Sequence, residues 1–267
     1  MDLNLKGKAF LVAGGSRGLG LGIATALAAE GALVSLGSRG PEAKGEAEKL
    51  SSGYGTNAQG FHLDVTDPDS ITEWVQGTHE VFRRIDGLVV NGGGPPSGSF
   101  EDFDDEAWSR AYELTLLSAV RLIRAARPLL RVNGSGANGS GAIVTVTSTS
   151  IKEPIPNLIL SNVFRSGVSS LVKSLAPSLA LDGIRINNIV PGRIDTDRVA
   201  TLDRLQAQRD GVTSEEVRAV HEGKIPLNRY GEPSEFGKIA AFLLSNAASY
   251  STGSTVVVDG GRTNFIW

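Results

Sequence analysis

Short apolar runs alternate with longer stretches of helical periodicity along the whole chain. Ala9-Phe10-Leu11-Val12-Ala13 is continuously apolar and predicts a first buried strand; residues 18–30 follow with helical spacing, closed by Gly31. The same reading predicts strands at Leu33–Leu36, Ala58–Leu63, Leu88–Val90, Ile143–Val146, Arg185–Val190 and Val256–Val258. Between them it predicts helices over 41–50, 68–84, 105–130, 157–181, 198–209, 213–222 and 233–245, with Asp67-Pro68 as one start signal. The strands are apolar on both faces, as a sheet covered on both sides requires. Strand–helix alternation predicts right-handed βαβ crossovers and an α/β fold built on a parallel sheet. No linker divides the pattern, so one domain over 1–267 is expected. The low-complexity stretch Asn133-Gly134-Ser135-Gly136-Ala137-Asn138-Gly139-Ser140-Gly141 is expected to be a mobile surface loop.

Composition narrows the chemistry. The 267 residues are 40% hydrophobic and 21% charged, enough to bury a sizeable core. Lys and Arg number 26 against 29 Asp and Glu; this balance argues against nucleic-acid binding driven by global positive charge. Cysteine is absent, which excludes disulfides, thiolate metal sites and a cysteine nucleophile. The three histidines, His62, His79 and His221, are far apart, so no metal site is expected. No 18-residue apolar run occurs, and the start Met1-Asp2-Leu3-Asn4-Leu5-Lys6 lacks a secretory pattern; a cytoplasmic protein without a membrane span is expected.

The first strand runs into Ala13-Gly14-Gly15-Ser16-Arg17-Gly18-Leu19-Gly20, where a helix begins. A sharp turn that brings a pyrophosphate to a helix N-terminus needs backbone without side chains. Glycines at 14, 18 and 20 supply that at the first strand–helix junction, which points to a nucleotide site. No Gly-Lys-Ser/Thr follows, so the pattern is not that of a nucleoside-triphosphate phosphate loop.

The spacing G-x-x-x-G-x-G resembles that of the short-chain dehydrogenase/reductase family. Further stretches carry the resemblance in order: Asp64-Val65, Asn91-Gly92-Gly93-Gly94, Asn187 with Pro191-Gly192, Thr252-Gly253 and Val258-Asp259-Gly260-Gly261. The resemblance covers almost the whole chain, which is similar to bacterial 3-oxoacyl-carrier-protein reductases. It implies a Rossmann-like doubly wound sheet of seven mostly parallel strands with helices on both faces, and a homotetramer or homodimer. It also implies that Asp64 and Val65 contact an adenine, that Asn91, Gly92, Gly93, Pro191, Gly192 and Ile194 line the cofactor, and that Thr196 meets the nicotinamide amide.

NAD-dependent relatives usually carry Asp at the end of the second strand; here Ser38 stands there, followed by Arg39. Arg17 adds a second cation in the glycine loop. An arginine fork suits the 2′-phosphate of NADP(H), which is the expected cofactor, with Ser16, Leu19 and the loop glycines around its phosphates.

The family reduces carbonyls with a Ser, a Tyr and a Lys, assisted by an Asn. Ser148 matches the serine, but the Tyr and Lys places hold Ser161 and Arg165, and Thr115 stands for the Asn. Tyr54, Tyr112, Tyr230 and Tyr250 are followed four residues later by Ala58, Leu116, Ser234 and Ser254, so no Tyr-x-x-x-Lys occurs. A phenol titrates near pH ~10 and can be brought lower by a cation. A serine hydroxyl is a poor proton source, and Arg stays charged, though its donors can hold a ribose. Lys152, desolvated near Arg165, is a candidate proton source; its alternative is a surface lysine paired with Glu153. Tyr112 is a weaker candidate.

Gly94-Pro95-Pro96-Ser97-Gly98 and residues 153–158 should lie at the substrate edge of the sheet, with residues 193–230 as a cover. Arg193 and Arg198 can bind an anionic substrate or pair with Asp195, Asp197 or Asp203, and His221 and Tyr230 read as structural residues of the cover. Three functions fit: an NADP(H)-dependent oxidoreductase acting on a ketone or secondary alcohol with an atypical proton-delivery set, a dinucleotide-binding sensor or assembly partner without turnover, and an enzyme that retains tightly bound cofactor.

Overall fold

The computed structural model describes residues 2–134 and 141–266. Seven strands form one parallel sheet in the order β3-β2-β1-β4-β5-β6-β7. They are β1 (Ala9–Ala13), β2 (Leu33–Ser38), β3 (Ala58–His62), β4 (Gly87–Val90), β5 (Gly141–Val146), β6 (Ile184–Pro191) and β7 (Thr255–Val258). Central strands β1, β4 and β5 are buried throughout, whereas edge strands β3 and β7 are mostly half-exposed. The expected Rossmann-like doubly wound sheet is therefore observed, with every strand parallel.

Helices cover both faces, each burying an apolar stripe. On one side α1 (Gly18–Ala29), α2 (Glu42–Tyr54) and α9 (Pro233–Leu244) pack with Phe10, Leu36 and Phe236 into one core. On the other, α3 (Pro68–Phe82), α5 (Ser118–Gly134) and α6 (Ile159–Ala180) pack with Trp74, Ile85 and Leu88 into a second. Burying one such large apolar side chain contributes about 1.5–3 kcal/mol. Some buried polar groups are paired across elements: Trp74 Nε1 donates to Ser35 Oγ at 2.9 Å, and Ala9 N–H donates to Asp86 at 2.8 Å. Asp67 caps α3 by accepting from Asp69 N–H at 2.9 Å, with Pro68 at the first turn.

Several boundaries differ from the sequence reading, among them α2, which runs to Tyr54 instead of ending at residue 50. Residues 105–130 do not form one helix: α4 (Asp105–Tyr112) passes through a wide π turn at Glu113–Leu117 before α5 begins. β2 continues past Leu36 to Ser38, because the sheet register through Gly37 and Ser38 holds although the apolar run has ended. α5 takes in Asn133 and Gly134, which were expected in the loop; residues 135–140 of that stretch lie outside the described residues. α5 thus ends, and β5 starts at Gly141, at the edge of the sheet opposite the C-terminal ends of the strands. Between β6 and α9 lie α7 (Asp197–Asp210) and α8 (Ser214–Glu222).

Candidate active site

The C-terminal ends of the strands hold nearly every residue singled out in the sequence. Gly14 and Gly18 have φ of +62° and +54°, a backbone region that favours glycine. A Cβ at Gly20 would fall 2.0 Å from Gly14 O, and one at Gly14 would fall 2.8 Å from Asn91 O. The turn therefore closes only with these side chains missing. Asn91, after β4, ties it down: Nδ2 donates to Ala13 O at 3.2 Å and to Gly14 O at 3.4 Å. Arg17 precedes α1 without capping it, and the first turn has no acidic residue. The helix's leading N–H groups and positive dipole end are left for an anion. Ser16 and Leu19 are partly buried in this turn, Leu19 against the core.

At the neighbouring strand end, Ser38 Oγ donates to Gly40 O at 3.1 Å, and Arg39 is exposed. Arg17 is exposed too, and among the described residues neither arginine has an ion-pair partner. Asp64 accepts from the Thr66 hydroxyl at 2.7 Å and its N–H at 2.9 Å. Those bonds, with Arg39 and His62 nearby, hold its carboxyl below the usual range against the opposing effect of burial. Val65 is partly buried on the core beside it.

At the far side of the sheet's C-terminal edge, β6 ends at Pro191 and is followed by Gly192. A Cβ at Gly192 would meet the Asp259 Cβ at 2.5 Å, so this glycine permits β6 and the end of β7 to touch. Ile194 is buried and pairs with Gly231. Thr196 caps α7 by accepting from Val199 N–H at 3.3 Å, and its Cγ2 lies 3.5 Å from where a Gly18 side chain would begin. The cover thus reaches the glycine turn.

Ser148 follows β5 and caps a short 3₁₀ turn, Thr149–Ile151, accepting from Ser150 N–H at 3.1 Å. Ser161 and Arg165 sit one turn apart on α6. Arg165 Nε donates to Ser161 Oγ at 3.1 Å, while Nη1 donates to Val146 O at 3.1 Å and Thr147 O at 3.3 Å. One guanidinium therefore ties Ser161 to the strand end that carries Ser148. Burial, and the nearby positive charge of Arg198, lower the Arg165 pKa to about 10, so it stays cationic at neutral pH. Arg165 shares a small cavity with Gly92, Gly93 and Thr115, and the buried Thr115 Oγ1 has no hydrogen-bond partner among the described residues. The π turn at Thr115 faces this cavity, as such turns often do at functional sites.

Two candidates separate from the group. Lys152 is exposed, with Nζ 5.8 Å from the Phe265 ring centroid, so the desolvation expected of it is missing. Nor does it pair with Glu153, which accepts from Asn264 N–H at 2.7 Å. Tyr112 is 40% exposed and packs on Phe164, with ring centroids 6.1 Å apart. The two expected substrate loops do meet: Gly98 N–H donates to Asn157 O at 2.7 Å. Asn162, not foreseen from the sequence, holds Ile155 through both its amide atoms at 2.9 and 3.3 Å. Nothing in its local pattern distinguishes it from any other helical asparagine.

The cover is knit by a buried polar cluster. Arg193 pairs with Asp203, Tyr230 OH donates to Asp203 at 2.9 Å, and Arg193 contacts His221 Nε2 at 2.8 Å. Burial, then Arg193, lower the His221 pKa to about 4; Asp203 opposes this, and Arg262 and Lys224 add to it. Burial also raises the Tyr230 phenol. Arg198 joins none of this: Nη2 donates to Pro95 O at 2.9 Å.

A family profile described as enoyl-(acyl carrier protein) reductase matches residues 13–263. The chain belongs to the short-chain dehydrogenase/reductase family. It is 34% identical over 262 residues to the 3-oxoacyl-(acyl-carrier-protein) reductase of Escherichia coli, covering 97% of this chain and 98% of that one. L-sorbose reductase from Gluconobacter frateurii, solved with NADPH and L-sorbose, superimposes with a TM-score of 0.92 at 29% identity, over 99% and 100% of the two chains. Actinorhodin polyketide ketoreductase with NADPH gives 0.89 at 29% identity, over 97% and 98%. Among the described residues of this family member, no helix is long and apolar enough to cross a membrane, and no group of three His, Asp or Glu can hold a metal ion.

Proposed function

We propose that this chain is an NADP(H)-dependent oxidoreductase acting on a ketone or secondary alcohol, with Ser161 and Arg165 standing where the family carries Tyr and Lys. The observation that carries it is the glycine cradle, closed to side chains at Gly14 and Gly20, beside uncapped helix N–H groups. The residues present fit a dinucleotide: α1 and Ser16 take the pyrophosphate, Arg17 and Arg39 the 2′-phosphate, and Asp64 and Val65 the adenine. Gly92, Gly93, Ile194 and Thr196 flank the nicotinamide, and Arg165 holds its ribose. NADPH-bound relatives of the same fold support that choice of cofactor.

Bound NADPH supplies a hydride to a carbonyl carbon. The chain must then stabilise and protonate the oxygen. Ser148 polarises the carbonyl. Ser161 accepts from Arg165 Nε, which leaves its own proton free to donate onward. The guanidinium charge stabilises the developing oxyanion through Ser161, and the proton comes ultimately from solvent. Lys152, exposed, has no part in this scheme. The protein works in the cytoplasm as a homotetramer or homodimer, as one domain whose segment 193–230 covers the substrate.

A second reading, dinucleotide binding without turnover, is favoured by one observation: Arg165 anchors to backbone carbonyls and no phenol stands beside it. NADPH absorbance loss against a broad carbonyl panel separates the two. Turnover that collapses in Ser148→Ala supports the oxidoreductase; NADPH binding with no turnover of any carbonyl supports the second reading.

A further inference from the structure

Among the described residues, Arg165 and Arg198 are two neighbouring cations without a counter-ion. Among the described residues of the cover, Arg193 pairs with Asp203, Arg218 with Asp195 and Glu222, and Arg229 with Glu235, while Arg204 and Arg209 are unpaired but exposed on the outside of α7. Among the described residues neither Arg165 nor Arg198 has a carboxylate within ion-pair distance, and the charged group acting on Arg165 is Arg198. Arg198 is exposed overall, but its guanidinium is partly enclosed over the β4 loop: Nη2 lies 3.1 Å from where a Gly94 side chain would begin. This enclosure lowers its pKa, with no acidic neighbour opposing.

Arginines can be satisfied by carbonyls alone, as Arg185 is. It donates to Leu243 O and Ser245 O at 2.8 Å from both terminal nitrogens. Arg198 is not satisfied in that way, and Arg165 is satisfied only in part, on the side facing Ser161 and the end of β5. Among the described residues Arg165 donates from Nε and Nη1 but not from Nη2, and Arg198 donates from Nη2 alone of its three nitrogens. Both lie where the loops after β4 and β6 converge, and an enclosed cation without a partner selects an anion.

We propose that the substrate carries a carboxylate or equivalent anionic group beside its reacting carbon, and that Arg198 binds it with Arg165 as the second positive charge. The proposal rests on the oxidoreductase reading above. A phosphate of the cofactor is the other anion that this chemistry accepts, and the test separates the two.

The test compares kcat/KM with NADPH for 2-oxobutanoate and its methyl ester in the wild type, Arg198→Gln and Arg198→Lys. Calorimetry measures oxamate binding to the NADP⁺-loaded protein and NADPH binding to each variant. The expected result is preference for the acid, an acid-to-ester ratio about 10- to 100-fold lower in Arg198→Gln, partial rescue in Arg198→Lys, and unchanged NADPH affinity. Equal use of acid and ester, or a ratio unmoved by Arg198→Gln, overturns the proposal. So does a variant whose only defect is weaker NADPH binding, which assigns the cation to the cofactor. If no carbonyl is reduced at all, the oxidoreductase reading fails by itself. Oxamate binding then decides the anion site: binding abolished in Arg198→Gln keeps it, and no binding ends it.

Discussion

Ser148 is positioned by its own backbone, because its hydroxyl caps the turn that follows it. Removing a hydrogen-bond donor to a developing oxyanion typically costs ~10²–10³ in kcat. Ser148→Ala is expected to lose that much in steady-state assays while NADPH binding, followed by fluorescence, is retained. Arg39 is exposed and has no ion-pair partner among the described residues, so its charge is available to a 2′-phosphate. Arg39→Asp is expected to reverse the preference from NADP to NAD, with the ratio of the two Kd values shifting about 10-fold or more. The glycine turn after β1 was readable in the sequence because backbone closeness demands glycine, and glycines are visible as letters. The fate of the charged candidates was not. Whether Arg193, Arg198 or Lys152 is paired, enclosed or exposed depends on side chains from distant segments, such as Asp203, Pro95 and Phe265.

Helices α1 and α9 approach until their backbones touch. A Cβ at Gly22 would fall 2.4 Å from Pro233 O, and one at Gly237 would fall 2.2 Å from Gly22 O. Alanine gains roughly 0.8–1 kcal/mol of helix propensity over glycine, but overpacking against a backbone atom costs about 1–3 kcal/mol or more. The clash wins, so Gly22→Ala is expected to lower the Tm in a thermal melt. The cover helices answer to pH. His221 is held near pKa 4 in the fold and titrates at its ordinary 6.5 when unfolded. Between those values the unfolded chain takes up the proton and the folded one does not, so this stabilisation is lost as pH falls from about 6.5 toward 4. The Tm is expected to fall over that window, and less steeply in His221→Gln. Elements with strong periodicity, such as β1, β5 and α9, were legible to within a residue or two. The π turn at Glu113–Leu117 was not, since its apolar spacing in Leu114, Leu116 and Leu117 also fits a continuous helix.

Both cores close on one sheet, so the molecule should respond to ligand as a unit. A cofactor that binds only the folded state, at about 100 times its Kd, adds about 2.7 kcal/mol. At roughly 2–4 °C per kcal/mol for chains somewhat shorter than this one, NADPH is expected to raise the Tm by several degrees. NAD is expected to raise it less at equal concentration. A parallel sheet also has two unlike ends. The site gathers at one, while Gly55, exposed in the connection from α2 to β3, lies at the other. For anyone attaching this protein to an electrode, bead or fluorescent reporter, that connection is the place to graft the tether: the linkage would hang from the blind side, leaving the mouth turned to the medium.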